Sequence, residues 1–499
     1  MILINQLQRT LNYNSYYTMG DENISRLFEF TLKPQQKKVF EALRHFTKDE
    51  SNKVFILRGY AGTGKTSLMS GLIKWMDENE IQYNLLASTG RASKILSDKT
   101  KVKAKTIHSH LYVFNDISDD LEELSKQKKT LGKDDSGQLS LLFELRCVDK
   151  KAGQLYIIDE ASMISDIKEK STSFARFGSG ELLNDLINSD INGKYIFVGD
   201  PAQLPPVNQS FSPALSKEYI NNKFRCDVVE FELTEIVRQE SENGIIAASM
   251  NLRKLYTTNP QVKFANFLFK IYPDIHLHNS HTSLLNAYID NIKKHGFEHS
   301  TLICQMNKYC SEINKYVRNV LQKDEEWVEE GDLLMVTQNN YLTDLVNGDI
   351  VKVLQTGETE YRCGLSFKKV EIQELASNKI YTIPLIENIL YSVNTNLDSV
   401  QNKELMIDYY FRMKALGIQQ KDHQFKEKML YDPYLNALKA VYGYALTCHK
   451  SQGGEWEEVF LYLDNKIHGI PKPSIYQWMY TAITRAKTKI HIVNDWFIS

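Results

Sequence analysis

Residues Gly59-Tyr60-Ala61-Gly62-Thr63-Gly64-Lys65-Thr66 set glycines, a lysine and a hydroxyl at the spacing G-x-x-x-x-G-K-T. That spacing suits phosphate chemistry. Glycines let backbone N–H groups turn inward around phosphate oxygens, and a helix N-terminus adds a partial positive charge. Lys65 is then placed to reach β- and γ-phosphates, and Thr66 to ligate Mg²⁺. An apolar run ends at Leu57 just before the loop, and Ser67–Trp75 behind it reads as a helix. This strand–loop–helix context is the one the pattern requires. It assigns Gly59, Ala61, Gly62, Thr63, Gly64, Lys65, Thr66 and Ser67 to a nucleoside triphosphate, ATP or GTP.

Two further constellations follow. In Tyr156-Ile157-Ile158-Asp159-Glu160-Ala161-Ser162 an apolar run ends in two acids. Asp159 can hold Mg²⁺ through water, and Glu160 can polarise an attacking water. Taken alone, an Asp-Glu pair is more often a surface charge pair; a buried strand before it and a phosphate loop upstream favour catalysis. In Phe197-Val198-Gly199-Asp200-Pro201-Ala202-Gln203-Leu204-Pro205-Pro206 the uncharged Gln203 could read a γ-phosphate by hydrogen bonding, or the segment could be only a proline-stiffened loop.

The elements that must position these residues are short apolar runs alternating with helical stretches, the pattern of an α/β fold. Val54–Leu57, Tyr83–Ala87, Leu155–Ile158 and Tyr195–Val198 read as buried strands. Ligands collect outside the carboxyl ends of parallel strands, so these ends are expected to converge on one site. The highly charged stretch Asn115–Gln138 reads either as a solvated surface insertion or as a small subdomain over a substrate groove. Thr301–Cys304 is a strand candidate, and 331–336 and 347–353 read as strands of a small barrel, with Asn347-Gly348 at a tight turn. Residues 400–439 are charged and helix-prone.

The chain has 499 residues, enough for roughly three domains of about 150 residues. Hydrophobic residues make up 42% and charged residues 24%, ordinary values for a globular protein. A net charge of −2 provides no global attraction to nucleic acid or anionic membrane, so any such site must be a local groove. Six cysteines form no C-x-x-C pair, which argues against structural zinc and a disulfide scaffold. The first residues show no signal-peptide pattern and no run approaches 18 apolar residues; a cytoplasmic protein without a membrane span is expected.

In order along the chain, these motifs resemble motifs I, II and III of superfamily 1 helicases. Others extend the resemblance. Leu32-Lys33-Pro34-Gln35-Gln36 looks like the Q-motif, Thr89-Gly90-Arg91-Ala92 like motif Ia and Thr106-Ile107-His108 like motif Ib. Leu233–Gln239 looks like motif IV, Ala445–Glu455 like motif V and Tyr480–Ala486 like motif VI. The match spans residues 32 to 487. Thr-Gly-Arg-Ala-Ser, Gln-Leu-Pro-Pro-Val and His-Lys-Ser-Gln-Gly are similar to the RecD/Dda-like branch.

The resemblance implies two RecA-like P-loop domains in tandem, with a small 1B insertion and an SH3-like 2B insertion. An N-terminal segment would occupy 1–30 and domain 1A 31–240, with 1B at about 115–154. Domain 2A would comprise 241–331 and 439–499, and 2B with its helical segment 332–438. The activity implied is an ATP- and Mg²⁺-dependent helicase moving 5′ to 3′ on single-stranded DNA and opening tailed duplexes. A single-strand-binding protein or a nuclease is a possible partner. Gln36 would read adenine, Gly454 and Glu455 would adjoin the nucleotide, and Arg238 and Arg485 would reach the γ-phosphate from across the cleft. Thr89, Arg91, Thr106, His108, Thr447 and His449 would contact the strand. Tyr112, Phe114 and Phe143 could stack on bases, although core packing is the commoner fate of such residues. Val237 stands where some relatives carry an adenine-stacking aromatic. An RNA helicase, or a nucleotide-gated subunit that recruits a nuclease or repair partner, remain alternatives.

Overall fold

The computed structural model describes residues 24–49, 51–127, 139–146, 153–168, 174–236, 244–324, 326–340, 342–392 and 395–499. Of the expected N-terminal segment, residues 1–23 lie outside the described residues.

Two parallel sheets dominate. The first is six-stranded, in the order β3-β2-β6-β8-β1-β9. It comprises β1 (Val54–Gly59), β2 (Asn84–Ala87), β3 (Lys105–Thr106), β6 (Leu155–Asp159), β8 (Lys194–Gly199) and β9 (Val228–Leu233). Val54, Phe55, Ile56 and Leu57 are all fully buried, as expected of a strand covered on both faces. Around this sheet pack α1 (Pro34–Lys48), α2 (Lys65–Glu78) and α3 (Gly90–Thr100), with the short α4 (Ile107–Leu111) following β3. The second sheet is five-stranded, in the order β10-β19-β18-β11-β17. Its strands are β10 (Ile275–His278), β11 (Ser300–Cys304), β17 (Ala445–Thr447), β18 (Trp456–Tyr462) and β19 (Ala486–Val493), all paired in parallel. Two tandem RecA-like units follow directly from this topology. All four buried strands expected from the apolar runs form, within one or two residues at each end.

An antiparallel sheet, β15-β14-β13-β12-β16, interrupts the second unit. It contains β12 (Leu333–Val336), β13 (Ile350–Arg362), β14 (Leu365–Glu374), β15 (Ile380–Ile386) and β16 (Ala440–Tyr442). Asn347 and Gly348, expected at a tight turn, precede β13, and Gly348 has φ +95°. Only glycine takes that conformation cheaply.

A fourth, three-stranded sheet pairs β4 (Tyr112–Ile117) antiparallel to β5 (Leu141–Leu145), with β7 (Ala175–Phe177) parallel to β5. In the described part of 115–138, Asn115, Asp116, Ser118, Asp120 and Glu123 are exposed, but the segment also has an apolar face. Ile117 and, on α5 (Leu121–Gln127), Leu121 and Leu124 are buried with Leu139. They pack on Tyr409, Tyr410 and Met413 of α7 (Ser399–Ala415) and Phe425 of α8 (His423–Tyr431). Gln420 ties the contact by accepting from Leu121 N at 2.9 Å and donating to Asp119 O at 3.0 Å. The charged pattern is the helix's solvated face; leucines three apart make its apolar stripe. Residues 128–138 lie outside the described residues. No helix among the described residues is long and apolar enough to cross a membrane.

A buried ion pair welds the antiparallel sheet to the second parallel sheet. Asp332 accepts from Arg318 Nε and Nη2, both at 3.0 Å, and from the Tyr444 hydroxyl at 2.9 Å. Arg318 also lies 4.2 Å from the Tyr442 ring. Asp332→Ala leaves that guanidinium buried and unpaired. The expected loss is about 3–5 kcal/mol in urea unfolding; a loss below about 1 kcal/mol would contradict this account.

Candidate functional site

The site lies at the carboxyl ends of β1, β6 and β8. The 59–66 loop turns through left-handed glycines, Gly62 at φ +79° and Gly64 at φ +82°. A Cβ on Gly59 would sit 2.8 Å from Thr63 Oγ1, so the close turn there requires glycine. Lys65 Nζ donates to Gly59 O at 2.7 Å and Tyr60 O at 3.1 Å, which holds the ammonium inside the loop it opens from. Thr66 is half-buried beside it, and Ser67 is exposed. Gln36, on the first turn of α1, is buried; it donates to Thr63 O at 3.2 Å and accepts from Lys33 N at 3.1 Å. Its amide therefore braces the phosphate loop.

Asp159 ends β6 and Glu160 follows it at φ +51°. A non-glycine residue in left-handed conformation is strained, and such strain concentrates at functional sites. Burial, then the neighbouring Glu160 carboxylate, push the Asp159 carboxyl up to about 6 against the pull of Lys65. Asp200, at the end of β8, is also raised by burial. Asp159, Glu160 and Asp200, crowded near Lys65, form a donor set that a divalent cation would relieve. Mg²⁺ needs only one or two protein oxygens, taking the rest from phosphates and water. Asp159 and Thr66 fit that requirement.

The second parallel unit closes the site through α9 (Ser474–Ile483). Gln477 Nε2 donates to Pro201 O and Gln203 O, both at 3.1 Å. Leu204 N donates to Thr481 Oγ1 at 2.9 Å. The Tyr480 hydroxyl donates to Asp200 Oδ2 at 2.7 Å and accepts from Ala61 N at 3.0 Å. Gln203 is 5% exposed, and its side-chain carbonyl has no partner among the described residues. Arg485 is 5% exposed; it donates to Thr481 O at 3.0 Å, Gly454 O at 3.3 Å and Thr484 Oγ1 at 3.2 Å. Lys65, Asp159, Glu160, Gln203 and Arg485 thus gather around one seam, whereas Arg238 and Val237 lie outside the described residues.

Arg91 lies in the seam as well. Its guanidinium stacks 4.7 Å from the Trp456 ring, and a Cβ on Gly454 would come within 2.6 Å of its Nη2. Thr89 caps α3 by accepting from Ala92 N at 3.2 Å, and Thr106 caps α4 by accepting from Ser109 N at 3.1 Å. Ala87 and Thr106 are register partners, so Thr89 and Thr106 share one edge of the sheet. The His108 ring packs 5.2 Å from Phe177 and 5.8 Å from Tyr112, and burial lowers its pKa. Thr447 is half-buried at the end of β17; His449 and Glu455 are exposed. Of the aromatics, Tyr112 is buried with its hydroxyl on Asp185, and Phe143 stacks on Phe177 at 4.7 Å. Phe114 lies 5.6 Å from Phe143, part of the same cluster.

Three participants were quoted within motifs without being assigned roles: Tyr480, Thr481 and Asp200. Their signal was polar residues inside otherwise apolar runs. A fourth, Arg253 of α6 (Gly244–Thr258), carried no motif signal; its guanidinium lies 3.0 Å from the centroid of the Tyr60 ring, whose hydroxyl bonds Glu232.

Residues 31–264 match a family model described as an AAA domain, and residues 442–493 match the UvrD-like helicase C-terminal domain. The chain is 25% identical to the uncharacterized protein R530 of Acanthamoeba polyphaga mimivirus, over 91% of this chain and 98% of that one. It is 22% identical to the RecBCD enzyme subunit RecD of Buchnera aphidicola subsp. Schizaphis graminum, over 88% of this chain and 70% of the relative. Among solved structures, Bacteroides Pif1 bound to single-stranded DNA is 16% identical, with 94% of this chain and 93% of that chain covered and a TM-score of 0.48.

The Asp159 shift has a measurable consequence. Because its folded value is raised, ionisation costs the fold, and that cost accrues as pH rises from the usual carboxyl range to about 6. Cation binding works against the same proton. Below pH 6 the Mg²⁺ concentration for half-maximal nucleotide turnover is expected to rise about tenfold per pH unit. A flat Mg²⁺ requirement between pH 5 and 7 would remove Asp159 from the cation site.

Proposed function

We propose that this chain, which belongs to the superfamily 1 helicases in their RecD-like branch, is an ATP-driven DNA helicase that moves 5′ to 3′ on single-stranded DNA. The observation that carries this is the seam, where a phosphate loop, two strand-end acids and a buried arginine from a second parallel unit meet. The matches to an AAA domain and a UvrD-like helicase C-terminal domain support it. So does the name of one relative, the RecBCD enzyme subunit RecD.

In this mechanism Lys65 neutralises charge on the β- and γ-phosphates, and the loop N–H groups orient them. Thr66, and Asp159 through water, would hold Mg²⁺, which would supply charge neutralisation on the phosphates. Glu160 orients the attacking water, and Gln203 hydrogen-bonds the terminal phosphate. Arg485, with Arg238, stabilises charge on the transferring group; arginines in this role contribute about 10³–10⁵ in rate. Gln36 supports the loop from the adenine side, and Gly454 and Glu455 border the nucleotide. Closure and release of the two parallel units then alternate with ATP binding and hydrolysis, a bistable hinge biased by its ligand.

The strand crosses both units along Thr89, Thr106 and Thr447, with Arg91, His108 and His449 beside them. Hydroxyls and backbone amides hold phosphates without reading sequence. The division into 1A (31–240, with 1B at about 115–154) and 2A (241–331 and 439–499, with 2B at 332–438) is part of this proposal; β4 begins at Tyr112 and β16 ends at Tyr442, a few residues past those limits. An intracellular DNA-processing role, in replication, repair or recombination, fits such a motor.

Strand displacement on 5′-tailed and 3′-tailed duplexes tests this. Unwinding is expected from the 5′ tail, and Glu160→Gln is expected to retain ATP binding while losing about 10²-fold or more in displacement rate. Unwinding from the 3′ tail alone would overturn the polarity. Turnover stimulated by RNA and not by DNA would reassign the track. ATP binding without displacement from either tail would favour a nucleotide-gated binding subunit.

A further inference from the structure

We propose that Tyr480 is the positioning residue that ties the phosphate loop to Arg485, so that the state of the loop sets the placement of that arginine. The inference rests on the nucleotide site described above and adds to it a residue with no assigned role.

Tyr480 is 1% exposed, and every polar atom at its two ends is engaged. At the ring end, a phenol has one proton to give. Tyr480 gives it to Asp200 Oδ2 at 2.7 Å, so toward the phosphate loop it can only accept, and it takes the Ala61 N–H at 3.0 Å. At the backbone end, Tyr480 O accepts from Thr484 Oγ1 at 2.8 Å. Thr484 Oγ1 in turn accepts from Arg485 Nη2 at 3.2 Å. A continuous path therefore runs from Ala61 through one side chain and one turn of helix to the Arg485 guanidinium.

Asp200 extends the path into the next loop. Its second oxygen, Oδ1, accepts from Ala202 N at 2.9 Å, adjacent to Gln203. One phenol thus holds three segments: the phosphate loop, the loop of Gln203, and the helix that ends at Arg485. The bonds of Asp200 to Tyr480 and Ala202 are buried and that of Ala61 to Tyr480 is part-buried, and an unmet hydrogen bond there is costly. A displacement of Ala61 when nucleotide enters the loop must move Tyr480 or break its bond.

Tyr480→Phe keeps the ring and its packing but leaves Ala61 N–H and Asp200 Oδ2 without this partner. Hydrogen exchange of the full chain with and without a non-hydrolysable ATP analogue reads the coupling. In the wild type the analogue is expected to slow exchange at residues 59–66 and also at 474–485. In Tyr480→Phe the first effect persists and the second is lost. DNA-stimulated kcat is expected to fall about tenfold or more, the rate equivalent of a lost hydrogen bond to a charged group, with KM for ATP within about threefold. Asp200→Asn, which keeps the side chain's shape, should show the same loss, and the double variant should be no worse than either single one, as for residues acting as a unit. Equal protection of 474–485 in Tyr480→Phe and wild type, or absence of that protection in the wild type, would overturn the inference. Should Tyr480→Phe fail to fold, Asp200→Asn decides on the same readouts. A wild type whose turnover ignores DNA would sink the motor assignment, while the exchange comparison still decides the role of Tyr480.

Discussion

Buried backbone groups of the 200–206 loop find their partners on α9, and much of the site follows from that constraint. Leu204 N is met by Thr481, and the carbonyls of Pro201 and Gln203 are met by Gln477. Gln477 and Thr481 are themselves fully buried. Gln452 adds a bond to Leu204 O at 3.3 Å. Unpaired backbone groups in such a place would each cost about 1–3 kcal/mol. The two parallel sheets are therefore held in one mutual placement, with the strand ends of the first facing the α9 end of the second. The cleft between them is a consequence of hydrogen-bond satisfaction as much as of apolar packing.

Charge in that cleft is deliberately unbalanced. Asp159, Glu160 and Asp200 stand near Lys65, and burial raises Asp159 and Asp200. Arg91 and Arg485 lie close to one another across Gly454. The acids thus gather beside Lys65 and the two arginines across Gly454. A second clasp lies next to Arg91. Lys94 of α3 pairs with Asp349 and Glu374 of the antiparallel sheet, and a Cβ on Gly90 would sit 2.3 Å from Val346. The α5–α7 contact in turn packs Leu121 and Leu124 on a helix that lies between β15 and β16 in the chain.

Much of this was legible from residue order. Strand ends are marked by apolar runs, and the phosphate loop by glycines whose positive φ no other residue adopts cheaply. The acids after β6 and the loop after β8 were legible for the same reason. What escaped depends on contacts between segments hundreds of residues apart. Gln36 matches a motif associated with adenine, yet its amide braces Thr63. Arg91 sits in a motif associated with the strand, yet it stacks on Trp456 inside the seam. Residues 115–124 are charged, yet Ile117, Leu121 and Leu124 are buried in the cluster formed with α7. Tyr480 is a polar residue in the largely apolar α9, but nothing local records that its hydroxyl meets the phosphate loop.

If the seam is the coupling element of a motor, occupancy of the strand track must be felt at the nucleotide. Steady-state ATP turnover by the wild-type chain, measured with increasing single-stranded oligothymidine at saturating Mg²⁺·ATP, tests this most directly. The account predicts saturable stimulation of about tenfold or more, the size of a coupling free energy of about 1–3 kcal/mol. Turnover that is the same with and without the strand would contradict it.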